Sequence, residues 1–203
     1  MTLSVGEMST IKWWIDASYT TRDNCKGHRG AVMSLGKDVI TSASNKHKIQ
    51  GRSSTDDELI GVHDTLPQVL WTKYCIEVQE YTVDCNKVHQ DNKSAQLLEM
   101  NGHLSTGKGM KHIKHRYLFV KDKVDQGDFD IVHSLAHAPF LEDRMWADVL
   151  TRPKSGRLFL DDRSVLMNCP ANYVDNGEFD KESDENKPDQ FIPTKIEGSR
   201  TKV

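Results

Sequence analysis

Apolar and β-branched residues crowd Thr10 to Tyr19, and two shorter runs of the same kind follow at Gly30 to Leu35 and Val39 to Ser44. Such runs predict strands, and Gly36-Lys37-Asp38 between the last two has the composition of a hairpin turn. Three antiparallel strands are therefore expected first. Ser53-Ser54-Thr55 then offers a helix N-cap, with Asp56, Asp57 and Glu58 in the first turn, where carboxylates suit the positive end of the helix. Leu59, Val62, Leu66, Val69 or Leu70, and Tyr74 recur at helical spacing and predict a long helix toward Val78 with that stripe inward. Pro67 lies inside it, and its missing N–H predicts a kink or a break.

Lys87 to Gln90 reads as a short strand ending at Asp91, and Asn92 to Met100 as a helix carrying Ala95, Leu97 and Leu98. After a glycine-rich stretch to Gly109, Met110, Ile113, Tyr117, Val120 and Val124 outline an amphipathic helix with Lys111, Lys114, His115 and Lys121 on its other face. Phe129 to Leu135 is the next expected strand, Glu142 to Leu150 a helix stopped by Pro153, and Leu158 to Met167 a last helix. This order implies an α/β fold, a mixed sheet with helices on its faces. Residues 1–9 read as an extension, 10–169 as one domain, and 170–203 as a disordered acidic tail of low hydrophobicity.

At 203 residues the chain can bury one real core and is too short for two. No apolar stretch approaches a membrane span, so no membrane partner is expected. The N-terminus lacks the basic start and apolar segment of a secretory signal, so the expected location is cytoplasmic or nuclear. Cys25, Cys75, Cys85 and Cys169 are far apart and show no C-x-x-C spacing, which argues against a zinc site or a disulfide framework. The net charge of -3 comes from the tail and leaves the body near neutral. Local basic segments then decide affinity for a polyanion, and Lys108, Lys111, Lys114, His115 and Arg116 form the densest one.

Asp16, Glu58, Asp91 and Asp148 each sit inside an apolar run or at its end. A carboxylate there is costly unless it is protonated, paired with a cation or coordinated to metal. No equal set of Arg and Lys stands beside them, which favours a shared metal site. Taken singly, each acid reads as a cap or a surface charge. Hard oxygen ligands select magnesium, with manganese as the alternative. Trp13 and Trp14 point to opposite faces of their strand and read as core. Ser18 and Tyr19 follow Asp16 and are candidates to line a groove. Asn92 and Ser94 open the helix after Asp91, where they suit either a phosphate or a cap.

Lys12-Trp13-Trp14-Ile15-Asp16-Ala17-Ser18-Tyr19, Gly30 to Gly36, Ser53-Ser54-Thr55 leading into Glu58-Leu59, Gln90-Asp91-Asn92-Lys93-Ser94-Ala95, Lys111-His112-Ile113 with Arg116-Tyr117, and Ala147-Asp148-Val149-Leu150-Thr151-Arg152-Pro153 stand in one order. Over roughly residues 8 to 168 the chain resembles the ribonuclease H domain at the carboxyl end of Ty1/copia-type retrotransposon polyproteins. The resemblance implies a ribonuclease H-like fold, a five-stranded mixed sheet with the first three strands antiparallel, flanked by helices. It also implies an Asp-Glu-Asp-Asp set of Asp16, Glu58, Asp91 and Asp148 holding two magnesium ions. It selects Glu58 over Asp56 and Asp57, because the family's ligand directly precedes the apolar pair. In that set Asp16 would bridge both ions, Glu58 and Asp91 would complete one, and Asp148 the other.

The implied activity is endonucleolytic hydrolysis of the RNA strand of RNA–DNA hybrids during reverse transcription, with a reverse transcriptase domain in the parent polyprotein, in a virus-like particle or the nucleus. The alternative is a decayed remnant that acts only as a nucleic-acid-binding or structural module. His137 falls where cellular ribonucleases H carry a mobile histidine, and is a candidate for proton transfer. Ser18, Asn92, Ser94, Lys108, Lys111, Lys114 and Arg116 are the candidates for contact with nucleic acid. The chain departs from the family at Arg29, where a Thr is usual, and at Arg152-Pro153-Lys154, where Lys-Pro-Leu is frequent.

Overall fold

The computed structural model describes residues 6, 9–19, 27–36, 38–102, 114–135 and 144–168. Ten elements follow in order: β1 (Thr10–Ser18), β2 (His28–Leu35), β3 (Val39–Lys46), α1 (Ser54–Val78), β4 (Cys85–Gln90), α2 (Lys93–Asn101), α3 (Lys114–Asp125), β5 (Asp130–His133), α4 (Asp148–Thr151) and α5 (Gly156–Leu166). The five strands form one sheet in the order β3-β2-β1-β4-β5. The β1–β2 and β2–β3 pairs are antiparallel, whereas β4 lies parallel to both β1 and β5. This is the five-stranded mixed sheet, with its first three strands antiparallel, that the resemblance implies. Most of the extension (residues 1–5, 7 and 8), the stretch 103–113, His137 and the tail lie outside the described residues, as do Cys25 and Cys169; Cys75 and Cys85 are free thiols.

Alternation along β1 sends Trp13 and Ile15 to one face and Trp14 and Asp16 to the other. On the first face, Ile11, Trp13 and Ile15 pack with Ala31, Met33, Val88 and Ile131 against Val62, Leu66, Val69 and Ile76 of α1. On the second, Trp14, Val32 and Val39 are covered by Met145 and Ala147. Both tryptophans are buried, as expected. Trp14 stacks against His89 at 4.9 Å and Trp146 at 4.3 Å between ring centroids, which ties the second layer to β1 and β4. A smaller cluster of Leu59, Ala95, Leu98 and Tyr117 joins α1, α2 and α3.

Ser53 caps α1 by accepting from the Asp56 N–H at 3.2 Å, as its position predicts. Pro67 does not break this helix, which continues through it to Val78. Pro67 is exposed, so its ring meets solvent, while Leu66 and Val69 beside it hold the inner face in the core. Tyr74 is not part of the inward row; it is 42 % exposed, and after Val69 the row runs through Thr72 to Ile76. The helix expected over 142–150 is also corrected. Residues 142 and 143 lie outside the described residues, Arg144 forms a parallel bridge with Leu135, and helix begins only at Asp148. Met145 and Ala147 are both buried while Trp146 lies on Trp14, which draws this segment along the sheet in place of a helical turn. Among the described residues no helix is long and apolar enough to cross a membrane.

Candidate functional site

Parallel pairing of β1 with β4 brings their carboxyl ends together. Asp16 lies two residues past Trp14 on β1, and Asp91 two past His89 of β4, so both acids leave the sheet on the face of the stacked Trp14–His89 pair. Glu58, in the second turn of α1, reaches the same edge and is hydrogen-bonded by the Ala17 backbone N–H. One oxygen from each of Asp16, Glu58 and Asp91 lies within 4.8 Å of the others. Asp57 and Asp56 face elsewhere, accepting from the Gly51 N–H and the Arg52 N–H, each at 3.0 Å. Consecutive helix positions diverge by about a third of a turn, so only one of the three acids can face the sheet edge.

Asp148 opens α4 above β1 and β2, and its field reaches Asp16 and Asp91. Its carboxylate is not one of the three that converge. Oδ2 lies 2.9 Å from Lys154 Nζ and Oδ1 lies 3.5 Å from Arg152 Nε. Gly30, paired with Asp16 across β1 and β2, lets α4 come this close: a Cβ there would stand 2.7 Å from the Ala147 carbonyl oxygen and 2.8 Å from Leu150 Cβ. Thr151, one turn along α4, donates its hydroxyl to Asp16 Oδ2.

Burial pushes the Asp16 carboxyl from 3.8 to about 6, against the Thr151 hydrogen bond and with help from Asp91 and Asp148. Glu58 is pushed well above its ordinary value by burial, then by Asp16 and Asp91. Asp91 is raised by burial, and there Arg152 and Asp148 act in opposite senses. Asp16 Oδ1 and Glu58 Oε2 are buried with no hydrogen-bond partner among the described residues. Converging hard oxygens with uncompensated charge are the donor set that a divalent cation requires, so the residues present fit a magnesium or manganese site.

A cleft leads to Glu58 and Asp91 past Ser18, Tyr19, Ser54, Asn92, Lys93 and Arg152. Ser18 and Asn92 of the expected contact residues line it. The Asn92 side chain is at the same time the cap of α2, accepting from the Ser94 and Ala95 N–H groups at 3.0 and 3.1 Å. Ser94 is exposed beside it. Lys114 and Arg116 stand on α3, and Arg116 is bound to Asp64 at 2.6 Å and His63 at 2.9 Å. His137, Lys108 and Lys111 lie outside the described residues.

Three residues here went unremarked as site residues in the sequence. Thr151 orients Asp16, Lys154 neutralises Asp148, and Glu99 lies fully buried beside Gln90, raised well above its ordinary value by burial and adding its charge to the field on Glu58. The sequence signal for Thr151 was its place one turn after Asp148. None marked Lys154 or Glu99.

No family model matches the chain. It is 30% identical over 161 residues to the retrovirus-related Pol polyprotein from transposon RE1 of Arabidopsis thaliana, covering 78% of this chain and 10% of that one. The corresponding polyprotein from transposon RE2 of the same plant is 30% identical over 157 residues, covering 76% and 10%. The chain thus spans about a tenth of the length of the curated relatives it matches. Among solved structures it is similar to a ribonuclease H1 in complex with an RNA/DNA hybrid, with a TM-score of 0.48, 13% identity and coverage of 70% of this chain and 93% of that one. It is also similar to a foamy viral protease-reverse transcriptase in complex with double-stranded DNA, with a TM-score of 0.47, 15% identity and coverage of 74% and 96%. The sequence likeness extends over more than three quarters of the chain, so this chain, with its ribonuclease H-like fold, corresponds to a segment of the retrovirus-related Pol polyproteins of transposons.

Proposed function

We propose that this domain is a Ty1/copia-type ribonuclease H, a metal-dependent endonuclease that hydrolyses the RNA strand of RNA–DNA hybrids during reverse transcription. The observation that supports it is the convergence of Asp16, Glu58 and Asp91 within 4.8 Å at the end of an open cleft. These three and Asp148 would hold two magnesium or manganese ions. Bound divalent cations supply a lowered pKa for an attacking water and compensation for charge on the attacking and leaving oxygens.

The chain's own residues orient that site and receive the substrate. Thr151 fixes the Asp16 carboxylate, the Ala17 N–H fixes Glu58, and the stacked Trp14–His89 pair fixes the strand ends from which Asp16 and Asp91 project. Lys93 and Arg152 bring positive charge to the cleft, where a phosphate backbone would lie, and Ser18 and Asn92 supply hydrogen-bonding groups for a ribose 2′-hydroxyl. His137 would take part in proton transfer, and Ser94, Lys108, Lys111, Lys114 and Arg116 would extend the contact surface. The partner in the parent polyprotein would be a reverse transcriptase domain, working in a virus-like particle or the nucleus.

The test is cleavage of a labelled RNA–DNA hybrid in magnesium, beside an Asp91→Asn variant. Cleavage by the parent and its loss in the variant are expected. Hybrid binding without cleavage by either protein would sink the enzymatic reading and leave a binding module.

A further inference from the structure

The acids of the cluster differ in what already neutralises them. Asp16 Oδ1 and Glu58 Oε2 are buried without a partner, whereas both oxygens of Asp148 are engaged, Oδ2 by Lys154 and Oδ1 by Arg152. We propose that the Lys154 ammonium stands in for the second divalent ion at Asp148, so that the domain binds one cation tightly at Asp16, Glu58 and Asp91 and admits a second only by displacing Lys154. This rests on the metal-binding reading above.

Lys154 is held for that role. Its side chain is 12 % exposed, and Nζ lies between Asp148 Oδ2 at 2.9 Å and Asp162 Oδ2 at 2.8 Å. Asp162 is the one buried residue of α5, and its other oxygen is met by Arg144 at 3.2 Å. A lone buried carboxylate would be costly, and Arg144 removes that cost when Lys154 leaves. Asp162 therefore steadies Lys154 on Asp148 without depending on it. Arg152 reinforces the arrangement from the exposed side, since its side chain is 59 % exposed and also lines the cleft. A cation entering at Asp148 must overcome a monovalent charge already seated there, and at this range, even with strong screening, that weakens binding by roughly tenfold or more.

The experiment is manganese binding to the full chain, read as free ion by electron paramagnetic resonance and cross-checked by magnesium calorimetry. The parent is expected to show one tight step and a second about tenfold or more weaker. Lys154→Met should strengthen the second step by about tenfold and leave the first unchanged, Lys154→Arg should behave as the parent, and Asp148→Asn added to Lys154→Met should abolish the gain. Two steps of equal affinity in the parent overturn the proposal whether or not any variant folds. So does a Lys154→Met protein whose weak step is unchanged or missing. Retention of the tight step in Asp16→Asn is a different failure, which removes the underlying metal site.

Discussion

Asp16→Asn is expected to stabilise the metal-free protein at neutral pH while removing its affinity for divalent cations. Asp16 is completely buried, and burial holds its carboxyl at about 6 in place of 3.8. For an acid raised in this way, the folded state keeps a proton that the unfolded chain has released, so stability falls as pH rises from about 4 to about 6. Above that range the whole penalty stands. At about 1.4 kcal/mol per pH unit, the span from 3.8 to about 6 corresponds to about 3 kcal/mol at pH 7. Asparagine keeps the shape and an oxygen for the Thr151 hydroxyl, so the substitution removes the charge and leaves the packing. His47 pushes total stability the other way. Burial lowers it from 6.5 to about 4, so its contribution is lost as pH falls through that range. The informative quantity is therefore the difference between the two proteins, measured by urea unfolding in a chelator. It should be near zero at about pH 4 and reach about 3 kcal/mol at pH 7. Magnesium at a hundredfold excess over Kd should restore about 2.7 kcal/mol to the parent and nothing to the variant. A variant less stable than the parent at pH 7, or a gain that does not change with pH, would refute the argument that Asp16 holds an uncompensated buried charge.

Gly30→Ala should push α4 off the sheet, because its Cβ would meet the Ala147 carbonyl at 2.7 Å; we expect hybrid cleavage to fall tenfold or more for about 1–3 kcal/mol of stability, and unchanged cleavage would show that α4 placement is immaterial. Asn92→Ala removes the α2 cap and should cost about 1 kcal/mol by urea unfolding, with an unaltered midpoint counting against it. Pro67→Ala restores an N–H to the interior of α1 and should raise stability by about 1–2 kcal/mol, whereas a loss would mean that proline suits this position.

Local chemistry made much of the fold readable. The opposite orientation of Trp13 and Trp14, the Ser53 cap and the strand ending before Asp91 follow from alternation and capping rules that act over a few residues. Choosing Glu58 over Asp56 and Asp57 needed the family resemblance, since all three suit a first turn and only the helix phase against β1 separates them. Pro67 predicts a kink or a break, but α1 continues through it, because its ring lies on the exposed face while Leu66 and Val69 hold the inner face in the core. Spacing before Asp148 predicts a helix, whereas Trp146 is committed to Trp14, a contact that sequence spacing does not reveal. For the same reason Asp148 read as an equal fourth acid. Its pairing with Lys154 depends on Asp162 folding back from α5.

The hydrogen bond from Thr151 to Asp16 joins residues 135 positions apart. A ribosome releases Asp16 early and Thr151 near the end of the domain, so a growing chain displays β1, α1 and β4 before the segment that orients their acids exists. Chains terminated or cleaved before α4 retain Asp16, Glu58 and Asp91 and lack Thr151, Asp148 and Lys154 together. Completion of the site is thereby tied to completion of the domain, since its orienting hydroxyl and its neutralising ammonium are the last parts of it to be made.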